Sequence, residues 1–222
     1  MKALTSRLLT ESGVTHGFGT RAEPFPSALA KSWEETKPQW KQVHGTASIE
    51  VLQPGQACGD VDALWTQSPR QPIAVVTADC VPVLLARKDG TAVAAVHAGW
   101  RGTWAKIVPA LLHSLTRRGE RLSDWVAAIG PAIGPCCYEV SVEIAHDFSK
   151  AYARAVMGRM LDLPLINRLQ LEQAGIAEVD LLRACTRCTR DAGGEFAFHS
   201  YRREGGGTRQ TSAIEITGLA VR

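Results

Sequence analysis

The feature that most constrains how this chain can fold is the apolar stretch at residues 72–102, PIAVVTADCVPVLLARKDGTAVAAVHAGWRG. Two runs rich in aliphatic residues flank Asp89-Gly90, a dipeptide typical of tight β-hairpin turns. If these two residues form the turn, Lys88 faces Thr91 across the hairpin. The stretch therefore predicts two antiparallel strands whose register is set by their turn.

This register brings a thiol close to an imidazole. His97 is predicted to lie opposite Pro82, and Cys80 lies two residues further along the strand, on the same face as Pro82. Diagonal neighbours across a strand pair are about 7–8 Å apart, which is within reach of a shared metal or a side-chain hydrogen bond. A slip of one residue would place the two side chains on opposite faces.

The residues alone leave three interpretations open. With His44, the pair Cys80 and His97 makes a two-imidazole, one-thiolate set that suits zinc and also copper, although nothing in the spacing places His44 nearby. Alternatively, Cys80 is a nucleophile with His97 as its base and Asp79 or Asp62 as the orienting group, as in a hydrolase or amidase. The third interpretation is a buried structural cysteine beside a core histidine.

Two arginine-containing turns could bind an anion. Arg101 follows Gly99 just ahead of a predicted helix, where backbone amides and a guanidinium together favour phosphate. Arg202 and Arg203 precede a run of three glycines and repeat this chemistry, but the pattern by itself favours a solvated turn.

The other cysteines give a weak signal. Cys185 and Cys188 form a lone CxxC, and Cys136 and Cys137 are adjacent, not spaced as a ligand pair. The pattern favours thiols that serve in packing or in loops. The N-terminus does not resemble a signal peptide, so we expect a cytoplasmic protein with reduced thiols.

Composition and periodicity predict one mixed α/β domain over residues 1–222. The net charge is +3 and like charges do not cluster, which argues against a nucleic-acid or membrane partner. Apolar residues between Trp104 and Leu115 recur at helical spacing, and a further helix is predicted at 163–174. Strands are predicted at 125–129 and 196–201, and a strand or a helix is predicted at 214–219.

Several longer motifs carry a resemblance to a known family. They are QVHG at 42–45, DAL at 62–64, TADCVPVLL at 77–85, AVHAGWRG at 95–102, AIGPAIGPCCYEV at 128–140 and FHSYRREGGGTRQ at 198–210. In these the chain resembles the YfiH-like family, also called laccase-domain or purine nucleoside phosphorylase family proteins. The resemblance implies an α-β-β-α layered domain and a metal, usually zinc with copper as an alternative, held by His44, Cys80 and His97.

The resemblance also implies a function. It implies phosphorolysis of adenosine, inosine, guanosine and methylthioadenosine, with adenosine deamination as a second activity. The expected partners are therefore a purine nucleoside and phosphate, and we expect a monomer or weak homodimer. The alternatives are a cysteine amidase acting on a cell-wall precursor and a copper-dependent polyphenol oxidase, although one three-ligand site does not supply the several coppers of an oxidase.

Roles for individual residues follow from this function. The predicted catalytic residues are Cys80, His97, Asp79 and Arg101, and Asp79 or Asp62 is the predicted proton acceptor or donor. The predicted substrate-binding residues are Arg21, Asp62, Arg202 and Arg203. Around Arg21 the chain departs from the family, because HGFGTRAEPFPS keeps Thr20 and Arg21 but lacks the usual glycines.

Overall fold

A computed structural model describes residues 1–218 of the chain. The strands are β1 (Val14–Phe18), β2 (Gln39–Lys41), β3 (Ser48–Glu50), β4 (Ala57–Asp60), β5 (Ala63–Thr66), β6 (Ile73–Thr77), β7 (Val81–Arg87), β8 (Val93–Ala98), β9 (Trp125–Ile129), β10 (Val156–Met157), β11 (Met160–Leu161), β12 (Val179–Leu181) and β13 (Gln210–Ile216). The α-helices are α1 (Arg7–Glu11), α2 (Ala30–Thr36), α3 (Trp100–Trp104), α4 (Ile107–Arg117), α5 (Val142–Tyr152), α6 (Leu163–Ala174) and α7 (Tyr201–Glu204).

The predicted hairpin is strands β7 and β8, and it lies in the middle of a six-stranded sheet with the order β12-β9-β7-β8-β5-β3. Pro82 pairs with His97, as the turn predicted. The connection is wider than a two-residue turn, because the amide of Arg87 donates to the carbonyl of Ala92 at 2.8 Å. The predicted register is preserved, because the loop includes one additional residue from each strand.

Layers cover both faces of this sheet, which explains why β8 is buried along its whole length. Helices α4, α5 and α6 pack on one face around Leu111, Phe148 and Ile166. A three-stranded sheet, ordered β1-β13-β6, packs on the other face. Leu29 and the aromatic residues near α2 cover the outside of this smaller sheet. The mixed α/β class and the α-β-β-α layering are therefore confirmed.

The helix predictions hold with one correction. Helix α6 spans Leu163–Ala174 as predicted, between an Asp162 side-chain cap and Gly175 in the left-handed conformation. The apolar pattern from Trp104 to Leu115 is divided between two helices, because Lys106 has a φ of 65°. Trp104 consequently leaves the apolar face and is 45% exposed.

The strand predicted at residues 196–201 is wrong. Phe196 makes only an isolated bridge to Arg190, and Ser200 caps helix α7 through its side chain. Of the two alternatives predicted for residues 214–219, the structure shows a strand, because Ile214–Ile216 form the end of β13, and Leu219 lies outside the described residues. Within residues 1–218, no helix is long and apolar enough to cross a membrane.

Contact between the two sheets predicts a sensitive glycine. A Cβ on Gly130, just beyond β9, would overlap the ring of Phe18 at the end of β1. We expect Gly130→Ala to lower the free energy of unfolding by about 1–3 kcal/mol, the usual cost of overpacking a core. Urea denaturation measures this change.

Gly45→Ala is the matched control, because a Cβ there would meet its nearest neighbours at an ordinary 3.6 Å. Equal stability of the two variants would contradict the predicted overlap at Gly130.

Candidate metal centre and cavity

Three separate segments bring His44, Cys80 and His97 together. His44 lies in the connection between β2 and β3, Cys80 lies where the chain passes from β6 to β7, and His97 lies on β8. One ligand atom from each residue lies within 4.8 Å of the other two. His44 Nε2 is 3.9 Å from Cys80 Sγ, and the two imidazole rings meet edge to face with centroids 4.8 Å apart.

The backbone around this cluster adopts unusual conformations. His44 and Asp79 have φ values of 61° and 85°, in the left-handed region that residues with side chains rarely adopt. A Cβ on Gly99 would approach His44 Cδ2 to 2.9 Å and Cys80 Sγ to 3.1 Å, so this position requires glycine. Strain of this kind tends to concentrate at functional sites.

The carboxylate of Asp62 connects two of these segments. Its Oδ1 accepts from the His44 amide at 3.0 Å and is 2.7 Å from His97 Nδ1, and its Oδ2 accepts from the Gly45 amide at 2.6 Å. The His97 amide also donates to the Asp62 carbonyl at 2.8 Å. Asp62 is 1% exposed, so one buried side chain sets both the β2–β3 connection and the orientation of the His97 ring.

These contacts alter the acidity of the cluster. Burial alone would lower the pKa of His97, but the hydrogen bonds with Asp62 and Cys80 outweigh it and raise the pKa to about 9. Burial alone would raise the pKa of the Cys80 thiol, but hydrogen bonds with His44 and His97 lower it to about 7. The protein therefore favours a thiolate at Cys80.

The cluster lies in a cavity of about 510 Å³. The walls combine aromatic, aliphatic and cationic side chains, which are Trp100, Tyr138, Tyr201, Ile133, Leu163, Arg101, Arg202 and Arg209. Known ligand pockets fall between about 300 and 1,000 Å³ and combine an apolar lining with a few convergent polar groups. This cavity has the size and lining of a small-molecule site.

Besides Cys80 and His97, three of the predicted catalytic and substrate residues line this cavity, namely Asp79, Arg101 and Arg202. Asp79 is held firmly, because Oδ1 accepts from the Thr186 hydroxyl at 2.6 Å and Oδ2 accepts from the Arg202 amide at 2.7 Å. The Arg202 side chain donates to the Glu139 carbonyl at 3.0 Å and lies over the Tyr138 ring.

Three other predicted substrate residues lie outside the lining. Arg21 is exposed and pairs with Glu204. Arg203 donates to the carbonyls of Thr186, Arg187 and Phe198, so its guanidinium ties backbone segments together. Asp62 is buried behind the histidines. Substrate contact by Arg21, Arg203 and Asp62 stays a prediction, and the contacts that the structure shows for Arg203 and Asp62 hold neighbouring segments in place.

Sequence reasoning missed several residues of the cavity. Tyr138, Tyr201 and Arg209 line it but belong to no recognised spacing pattern. Tyr138 follows Cys137, and Arg209 ends the GGGTR turn, so their only signal was membership in the longer family motifs. Burial and the nearby Cys80 charge raise the pKa of Tyr138 to about 12, which keeps its hydroxyl protonated at neutral pH.

The donor set fits a zinc or copper ion. Because Nδ1 of His97 is taken by Asp62, the free Nε2 is the atom available as a ligand. Metal-binding histidines usually present one ring nitrogen to the ion and the other to a carboxylate or carbonyl. His44 and Cys80 complete a set of two imidazoles and one thiolate, with room for a fourth ligand from the cavity.

Comparison with known proteins agrees with this geometry. The family described as multi-copper polyphenol oxidoreductase laccase matches residues 27–217. The chain belongs to this family. The family resemblance seen in the motifs is therefore confirmed, and the laccase-like family together with the His/Cys cluster supports metal binding without identifying the metal.

Relatives and solved structures extend over most of the chain. The purine nucleoside phosphorylase YfiH of Shigella flexneri is 33% identical over 81% of this chain and 74% of its own length. The adenosine deaminase RL5, from an unknown prokaryotic organism, is 33% identical over 71% of this chain and 63% of its own length. The crystal structure of the hypothetical protein YfiH of Bacillus licheniformis superposes with a TM-score of 0.78 and 28% identity, covering 92% of this chain and 93% of that one. The prediction of an enzyme is confirmed.

The environment of Asp62 predicts a specific pH dependence of stability. Burial acts to raise its pKa, but hydrogen bonds from His97 and from the Gly45 and His44 amides outweigh it, so the pKa lies below its usual 3.8. A carboxylate with a lowered pKa contributes stability above its unfolded-state value and loses it as the pH falls. We expect the wild-type free energy of unfolding to decrease below about pH 4.

We expect Asp62→Asn to lower the free energy of unfolding by about 3–5 kcal/mol at pH 7, because the substitution removes one partner of a buried ionic pair. The free energy of unfolding of this variant should also decrease less steeply in acid than that of the wild type. Asp60→Asn, on the exposed end of β4, is the control. Urea unfolding from pH 3 to pH 7 gives both values, and identical pH slopes for wild type and Asp62→Asn would refute the role given to Asp62.

Proposed function

We propose that this chain is a metal-dependent purine nucleoside phosphorylase that also deaminates adenosine. The observation that carries the proposal is the His44, Cys80 and His97 cluster in a cavity of nucleoside size. The names of the relatives support the same chemistry, since one is a purine nucleoside phosphorylase and another an adenosine deaminase. The proposed substrates are adenosine, inosine, guanosine and methylthioadenosine.

Aromatic side chains account for recognition of the base. Trp100, Tyr138 and Tyr201 line the cavity, and flat apolar rings bind a purine by stacking and by excluding water. The protonated hydroxyl of Tyr138 donates a hydrogen bond to a ring nitrogen or carbonyl of the base. This combination holds a purine without requiring one particular exocyclic group, which agrees with the proposed range of substrates.

Cationic side chains account for recognition of phosphate. Arg101 and Arg209 line the same cavity, and guanidinium groups bind phosphate through two parallel hydrogen bonds. Arg101 also stacks on Trp100, with its guanidinium carbon 4.4 Å from the ring centroid, which places the proposed anion grip beside the proposed base site. We therefore assign phosphate to Arg101 and Arg209, with Arg202 held nearby through Glu139.

The metal would be held by His44, Cys80 and His97, and when bound it would supply Lewis-acid polarisation of an oxygen ligand. Zinc is the proposed ion and copper the alternative. Asp62 keeps His97 in the tautomer that presents Nε2. Asp79 faces the cavity with a fixed orientation, and each of its oxygens keeps lone-pair capacity, so we retain it as the proton acceptor or donor.

A cysteine amidase remains the second candidate, because Cys80 lies beside His97 and His97 in turn contacts Asp62. This arrangement also suits a nucleophile, its base and the group that orients the base. The lowered pKa of Cys80 favours this chemistry. Alkylation of the metal-free protein discriminates between the two: an amidase would lose activity on amide substrates, and the chelator alone would leave that activity intact.

The direct test incubates the purified protein with adenosine, with and without phosphate. We expect adenine and ribose 1-phosphate when phosphate is present, and inosine in both conditions. Loss of a residue that only hydrogen-bonds to a metal ligand typically lowers activity about 10- to 100-fold. Cys80→Ala removes a proposed ligand itself, so it should reduce both activities by more than this. Cys58→Ala, at a buried thiol away from the cavity, is the control, and full phosphorolysis by Cys80→Ala would refute the proposal.

The phosphate assignment makes a separate prediction. Arg209→Gln should lower kcat/KM for phosphate by about 10- to 100-fold, the value of a charged hydrogen bond, while deamination measured without phosphate stays near wild type. Arg168→Gln, whose residue pairs with Glu172 on the surface of α6, is the control. An equal loss of both activities in Arg209→Gln would mean that Arg209 does not act through phosphate.

A further inference from the structure

A second cluster of metal-binding side chains lies apart from the cavity residues that carry the proposed function. Cys136, Cys137, Cys185 and Cys188 bring their four sulfur atoms within 4.8 Å of one another. The sequence did not predict this convergence, because a lone CxxC and an adjacent pair 48 positions before it each give a weak signal. The fold supplies the missing information by joining the two loops.

Backbone hydrogen bonds hold the two loops side by side. Ala132 and Cys185 form a parallel bridge, and the Thr186 amide donates to the Ala132 carbonyl at 3.0 Å. Each loop then turns back on itself: the Cys137 amide donates to the Gly134 carbonyl at 2.9 Å, and the Thr189 amide donates to the Cys185 carbonyl at 3.0 Å. The two turns point their thiols toward one common centre.

The distances agree with tetrahedral coordination. Zinc–sulfur bonds of about 2.3 Å at tetrahedral angles place sulfur atoms about 3.8 Å apart. Cys136 Sγ and Cys188 Sγ are 3.7 Å apart. The Gly134 amide donates to Cys185 Sγ at 3.3 Å, and a donor of this kind stabilises a thiolate ligand. Four sulfur donors are soft, and among common ions they favour zinc.

We propose that Cys136, Cys137, Cys185 and Cys188 form a second, structural zinc site with four thiolate ligands. Such a closed set of four cysteines leaves no coordination position for substrate, in contrast to the three-ligand cluster in the cavity. The site therefore stabilises the fold and does not itself carry out a reaction.

The position of this site links it to the cavity. Thr186, between two of the cysteines, donates its hydroxyl to Asp79 Oδ1 at 2.6 Å, and the Ile133 amide donates to the Asp79 carbonyl at 3.0 Å. Both loops of the cysteine cluster thus hold Asp79, the neighbour of Cys80. Tyr138, directly after Cys137, lines the cavity. Zinc at the cysteine cluster would fix both the strained Asp79 and one aromatic wall.

Metal content of purified protein, prepared with a reducing agent, tests the site independently of activity. We expect two zinc ions per chain for the wild type and one for Cys80→Ser, which removes the ligand in the cavity. Adding Cys188→Ser to Cys80→Ser should remove the remaining ion, and Cys58→Ser added instead should not. Because Cys188 is exposed, its replacement by serine leaves the packed core unchanged.

X-ray absorption at the zinc edge of Cys80→Ser identifies the ligands. We expect four sulfur neighbours at about 2.3 Å and no imidazole scattering. Three results for Cys80→Ser would each overturn the proposal. They are a protein without zinc, a zinc ion with nitrogen neighbours, and a disulfide between Cys136 and Cys188 under reducing conditions. These results leave the proposed nucleoside chemistry untouched, since that chemistry is tested separately by the release of adenine and inosine by the wild type and by Cys80→Ala.

Discussion

The carboxylate of Asp62 is the interaction on which the candidate active site depends. It accepts hydrogen bonds from the amides at the start of the β2–β3 connection and from the ring of His97, and it is almost completely buried. A buried carboxylate needs several donors to offset its desolvation. The chain satisfies that need by folding the His44 segment over β8, and the same contacts place two imidazoles beside Cys80. The contacts that stabilise the buried Asp62 carboxylate therefore also bring the three candidate ligands together.

The hairpin was predictable because its information is local. Asp89-Gly90 and the two apolar runs predict the pairing of Pro82 with His97. The structure has this pairing, although the loop is wider than predicted. His44 was not predictable from spacing, because its position depends on hydrogen bonds to Asp62, a contact between distant segments. The strand predicted at 196–201 failed for a related reason: Ser200 caps a short helix, which overrides the local preference of its aromatic and apolar neighbours.

The cysteine cluster and the cavity illustrate how loops become functional when a rigid scaffold holds them. Strands β6, β9 and β12 end near the site, and the segments that follow them carry Cys80, Tyr138 and the four clustered cysteines. Asp79 directly precedes Cys80 of one cluster and accepts a hydrogen bond from Thr186, which lies between Cys185 and Cys188 of the other. Residue types alone indicated neither the cysteine cluster nor a positioning role for Arg203, and they offered Asp62 only as one of two candidates to orient His97, since each contact depends on which loops the sheets bring together.

The central claim is that His44, Cys80 and His97 hold a metal ion at the wall of a nucleoside cavity. The most direct measurement is anomalous X-ray diffraction at the zinc edge from crystals of the zinc-loaded protein soaked with adenosine. We expect an anomalous peak about 2.0–2.3 Å from the ligand atoms of these three residues, with the purine between the aromatic side chains of the cavity. A fully ordered cluster without a peak, or adenosine bound elsewhere on the surface, would contradict it.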